Sequence, residues 1–119
     1  MKIFLFILLS LFFINCSHVT CGEGIYVYRD LYRRHLIILE ESKHPRKLVI
    51  PKEVKEAVTF LEVVSGISSK ADKHNNISYR NKSDFNSDIR LWKQWYKRNK
   101  CMLTLHYVDS SFNSLGLER

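Results

Sequence analysis

Chemistry in a short chain starts from the side chains that can ligate, attack or carry a proton. Five histidines occur, His18, His35, His44, His74 and His106. No two are spaced i, i+4 as a helical metal pair would be, and none accompanies a Cys-x-x-Cys. No metal site is expected, and no cofactor is implied. The carboxylates are scattered: Glu40 and Glu41 are adjacent and so leave a helix on different faces. Asp84 and His106 could be paired only by guesswork. Ser65-Gly66 lacks the preceding Gly-x of a nucleophile elbow. With no catalytic constellation, the expectation is a protein that is not an enzyme.

The three cysteines carry more. Residues 3–14 (IFLFILLSLFFI) form an apolar run behind Met1-Lys2, broken only by Ser10. It is too short for a comfortable membrane span and has the form of a signal-peptide core. An export leader is expected over 1–21 and one small domain over 22–119, the usual size for a single hydrophobic core. The run ends in Phe13-Ile14-Asn15-Cys16-Ser17. This resembles the bacterial lipobox, in which cleavage just before the cysteine leaves it bearing a thioether-linked diacylglycerol. The resemblance implies Cys16 as the lipid-attachment residue, with Asn15 and Phe13 departing from the usual small residue and leucine. Two other readings stand beside it: ordinary cleavage near Val19-Thr20-Cys21-Gly22 with free secretion, and an uncleaved anchor helix, which Asn15, Ser17 and His18 interrupt. If Cys16 takes the lipid, Cys21 and Cys101 remain as an even pair in an oxidising compartment. A bond between them would close a loop of about eighty residues. The alternative is two unpaired buried thiols.

A third cluster mixes aromatic and basic residues. Trp92, Trp95 and Tyr96 lie among Lys93, Lys97, Arg98 and Lys100. Such a stripe can meet an anionic surface, lipid or nucleic acid, through its cations. Ile89, Trp92, Tyr96 and Leu103 nevertheless fall on one helical face, which favours the aromatics as core anchors beneath a solvated basic rim. The formal net charge of +7 falls to about +6 without Lys2, a bias toward anionic partners that specifies none of them.

These residues need elements to hold them. Apolar positions at 28, 31, 32, 36 and 39 predict a helix from about Tyr28. Lys47-Leu48-Val49-Ile50 reads as a brief extended segment. Pro51 then suits the first position of a second helix, whose stripe is Val54, Ala57, Val58, Leu61 and Val64, with Gly66 as its left-handed cap. Residues 67–85 are polar and predict a long loop, and a third helix is expected after Asn86 or Ser87, running to about Lys100. Leu103, Leu105, Tyr107 and Val108 alternate well enough for a short strand or a packed tail, and the last ten residues read as frayed. The fold class is mainly α: a small three-helix domain with room for short strands.

Ala57-Val58, Phe60-Leu61, Ser65-Gly66-Ile67, Asp88-Ile89, Trp92, Trp95-Tyr96, Asn99-Lys100 and Leu103 together resemble the closing segment of HEAT-like helical repeat proteins. There, a helix ending in Thr-Gly is followed by a loop and a W-x-x-W-[WY]-x-x-N-[KR] helix. Here serine stands for the threonine, and the chain has no room for an extended array. The resemblance spans residues 57–103. It implies an α-helical packing unit that offers a surface to partners and brings no catalytic residues. The expected role is an exported interaction or structural module with an unidentified protein partner, membrane-anchored through the lipid or periplasmic. The alternative is a secreted basic domain binding anionic lipid or nucleic acid, with nucleic acid the less favoured partner.

Overall fold

The computed structural model describes residues 21–22 and 27–118. The expected leader and its Cys16 lie outside the described residues. Four helices follow in order: α1 Val27–Glu41, α2 Pro51–Ser65, α3 Lys82–Asn99 and α4 Leu105–Ser114, with a 3-10 turn at Lys100–Met102 between the last two. The domain is mainly α, and no strand occurs among the described residues. Its nearest approach to a sheet is a single antiparallel bridge between Asp72 and Ser78.

The first two helices follow their hydrophobic periodicity. In α1, Tyr32, Leu36 and Leu39 are buried. In α2, Pro51 occupies the first turn, where its missing N–H costs nothing, and Glu53 lies near the positive end of the dipole. The helix stops at Gly66, whose φ of 70° is open to glycine and strained for other residues, and whose N–H donates to the Glu62 carbonyl. Phe60 joins the expected stripe of α2 and is buried between α1 and α4.

Two expectations fail. First, α3 begins at Lys82 rather than after Asn86 or Ser87. Asn81 is the cap, its side-chain oxygen accepting the Asp84 N–H at 2.8 Å. The polar run that reads as loop is the solvent face of a helical turn, while Phe85 continues the buried row of Ile89 and Trp92. Second, the segment after Cys101 is neither strand nor loose tail. Thr104 caps α4 by accepting the Tyr107 N–H, and Val108 and Phe112 bury their side chains at i, i+4 spacing while Leu105 faces out. Ordered helix therefore continues through Ser114 where fraying was expected. The segment 47–50, expected to be extended, pairs with no strand, and Leu48 is fully exposed. It spans the gap between α1 and α2 and delivers Ile50 in an extended conformation to the start of α2.

Trp92 sits at the centre with none of its surface exposed. Its indole N–H donates to the Ile67 carbonyl at 3.3 Å, and its own carbonyl accepts the Tyr32 hydroxyl at 2.9 Å. One residue thus ties α1, α3 and the exit of α2 together. Tyr32 stacks against Trp95 and Tyr96 at 5.4 and 5.3 Å between ring centroids. Burial pushes its phenol well above the usual tyrosine range. Tyr107 brings α4 in, stacking on Trp95 and donating to the Val64 carbonyl at 2.8 Å.

Candidate functional site

Two regions hold side chains whose chemistry goes beyond filling the core: the C-terminal end of α3, and the loop 67–81 that packs along its N-terminal half. At the first, Cys21 and Cys101 lie at disulfide-bonding distance, with Cα atoms 5.2 Å apart. Cys101 is positioned by the 3-10 turn that ends α3, and the Arg29 guanidinium on the first turns of α1 reaches the Cys21 sulfur at 3.5 Å. The N-terminal side of the domain is thereby tied to the end of α3.

The four basic residues singled out from the sequence separate into two groups. Lys93 forms an ion pair with Glu40 of α1, so its charge is shared within the domain. Lys97 and Arg98 stand exposed in the last turn of α3, and half-buried Lys100 follows in the 3-10 turn. These three make no ion pair among the described residues. The negative end of the α3 dipole favours cations there. Arg90 and Lys82 extend the exposed positive face toward the start of the helix.

The aromatic residues of the same stretch face the other way. Trp92 is wholly buried, while Trp95 and Tyr96 are half-buried at the edge of the core and stacked on Tyr32. Asn99 donates its side-chain N–H to the Trp95 carbonyl at 2.9 Å and holds the last turn of the helix. The aromatics pack against the core.

The loop 67–81 is organised by a residue whose role could not be read from the sequence. Asp88, one turn before Trp92, is completely buried. Its Oδ2 accepts three hydrogen bonds: from the Ser69 hydroxyl at 2.7 Å, the Lys70 N–H at 2.9 Å and the Tyr79 hydroxyl at 2.9 Å. Ser69 and Tyr79 stand near the two ends of the loop, so one carboxylate staples both to α3. Burial pushes the Tyr79 phenol well above its ordinary range, and the neighbouring Asp88 charge adds to the effect. The loop is further held by Lys73 pairing with Glu62, and by Lys43 lying over the Phe85 ring at 4.6 Å and the Tyr79 ring at 5.3 Å. A half-open cleft of about 400 Å³ remains between this loop and the α1–α2 connection, with Leu39, Val54, Ile77 and Tyr79 among its walls.

No family model, curated protein or solved structure matches this chain.

Catalytic geometry has little to build on. His35 is half-buried against the Phe60 ring at 4.8 Å, its Nδ1 has no hydrogen-bond partner, and burial holds its pKa below the ordinary histidine value. Among the described residues no nucleophile or acid makes a hydrogen bond to that ring, although the Glu56 charge acts on it. His44, His74 and His106 are exposed. Among the described residues no group of three histidine, cysteine or acidic side chains could hold a metal ion.

The Asp88 staple predicts a measurable cost. Asp88→Ala strands the Ser69 hydroxyl, the Lys70 N–H and the Tyr79 hydroxyl, and should lower stability by about 2–4 kcal/mol. Hydrogen exchange at Lys70 should rise before that of the α3 core amides. Asp88→Asn keeps one acceptor oxygen and should cost less. If Asp88→Ala melts with the wild type in urea, the carboxylate does not hold the loop.

Proposed function

We propose that this chain is an exported interaction domain, tethered to a membrane through a lipid on Cys16, whose helical surface serves a protein partner rather than a reaction. The observation that carries the reading is the approach of Cys21 to Cys101. A disulfide persists in secreted and periplasmic compartments and is rare in a reducing cytosol. It therefore agrees with the signal-like run at 3–14, a feature independent of it. No helix among the described residues is long and apolar enough to cross a membrane. A binding role is further supported by the resemblance of residues 57–103 to a helical repeat segment. Trp95 and Asp88 are committed to holding helices and loop in place.

Intact-mass measurement on the membrane-extracted protein tests the tether. The expected product begins at Cys16, carries a diacylglyceryl group and is lighter by two hydrogens than the reduced form. An unacylated N-terminus at or beyond Gly22 would overturn the reading and would also remove Cys21 from the mature protein.

A further inference from the structure

The cross-link and the lipid sit close together along the chain, and that has a geometric consequence. Five residues lead from Cys16 to Cys21. Fully extended they reach at most about 17 Å. Because Cys21 is joined to Cys101, the part of the domain held within that distance of the acylated residue is the C-terminal end of α3, not the start of α1 alone. Eighteen residues of α3 measure about 27 Å, so its N-terminal end can lie well beyond the tether's reach.

We propose that the disulfide-bearing end of the domain is its bilayer-contact face, with Lys97, Arg98 and Lys100 seated on anionic lipid headgroups. The proposal rests on the tethered reading above and adds an orientation to it. The side chains at this end suit a headgroup layer. Among the described residues the three cations make no ion pair, and the field of an anionic leaflet acts over roughly one Debye length, about 8 Å at physiological salt. Exposed apolar side chains lie within a few residues of the linkage: Val27 at the start of α1, Met102 beside Cys101, and Leu105 at the start of α4, at 62%, 45% and 57% exposure. Mixed cations and apolar side chains fit the boundary between headgroups and acyl chains. A nucleic-acid strand would favour open aromatic platforms, and Trp95 is instead half-buried and stacked on Tyr32 and Tyr107. The cations at the other end, Lys82 among them, are carried away from the surface, and the loop 67–81 is presented outward.

Amine footprinting of the acylated protein tests the assignment. The protein is reconstituted into phosphatidylglycerol-containing vesicles, into phosphatidylcholine vesicles and into detergent micelles, labelled with acetic anhydride, and read lysine by lysine by mass spectrometry. Lys97 and Lys100 should be protected on phosphatidylglycerol relative to the other two, while Lys52, Lys55 and Lys82 label equally in all three. Each cation on an anionic surface is worth about fivefold in partition, so the K97Q/R98Q double variant should lower the ratio of docked to undocked domain about 25-fold. Lys100 labelling would then return to the micelle level, with an unchanged circular dichroism spectrum showing that the variant is folded. Equal labelling of Lys97 and Lys100 on all three supports overturns the proposal, as does protection by a DNA oligonucleotide without protection by vesicles. Intact mass separates the two levels. An acylated protein without protection removes the face and leaves the tether, whereas an unacylated protein with protection on phosphatidylglycerol keeps the face and removes the tether.

Discussion

Reduction of the Cys21–Cys101 bond should lower the unfolding free energy by about 4 kcal/mol. The bond closes a loop with a sequence separation of 80, and constraining that length of unfolded chain is worth about 4.5 kcal/mol on chain-entropy grounds. Engineered and native bonds commonly deliver somewhat less. Against a total stability of about 5–10 kcal/mol for a domain of this size, that is a large fraction. Urea titrations with and without reductant provide the measurement, and the C21S/C101S pair separates loss of the bond from effects of the reductant. Coincident midpoints would mean that the linkage contributes position and not stability. The location of the bond adds a second expectation: because it pins the beginning of the domain to the end of α3, its loss should raise hydrogen exchange first at the start of α1 and in the 3-10 turn. The centre of α3, held by Trp92, should follow only with global unfolding.

Trp92→Ala should cost about 3–5 kcal/mol, comparable to the loss of the disulfide. The indole is wholly buried, and no neighbouring side chain is free to fill the void: Tyr32, Trp95, Tyr96 and Tyr107 are engaged with one another and with backbone carbonyls. The truncation also strands the Ile67 carbonyl, which accepts the indole N–H. For a domain of about a hundred residues, such a loss corresponds to a fall in melting temperature of roughly 15–30 °C. Trp92→Phe retains most of the buried area and should lose less than half as much. Thermal melts followed by far-ultraviolet circular dichroism compare the three proteins. An alanine variant that melts within a few degrees of the wild type would move the keystone of the core elsewhere, with Tyr32 and Leu61 the next fully buried side chains to test.

Sequence and structure agree where a pattern is local and dense. In α2, Pro51, an apolar row at 3.6 spacing and Gly66 act within one helix, and each is visible without knowing what the helix packs against. The stretch before α3 shows the opposite case. Lys82, Ser83, Asn86 and Ser87 are polar because they face solvent, and their composition resembles that of a loop. Only the placement of Phe85 against the core shows that the turn is helical. Residues 103–108 mislead for a related reason: alternation over so few residues fits a strand, and burial of Phe112 under Phe60, a contact distant in sequence, decides for helix.

The same division runs through the candidate site. That Lys97 and Arg98 belong to the C-terminal end of a helix could be read from their position after Trp92 and Trp95, whereas the pairing of Lys93 with Glu40 depends on how α1 crosses α3. Asp88 carried no signal beyond a carboxylate near a helix start. Its three hydrogen bonds come from residues 9 to 19 positions away, brought back by a loop whose path no local rule predicts.

By itself the sequence determined that the domain is mainly helical, where α1 and α2 lie, and which cysteines are free to pair once one is set aside. Those properties follow from short-range periodicity and from composition, which act before any chain segment meets another. The tertiary structure alone decided that Cys21 meets Cys101, that Asp88 is a buried staple rather than a surface carboxylate, and that Trp92 rather than Trp95 is the centre of the core. Each of these is a relation between residues far apart in the chain. Helix packing sets such distances by excluding water from a shared core, and the linear order of residues does not display them.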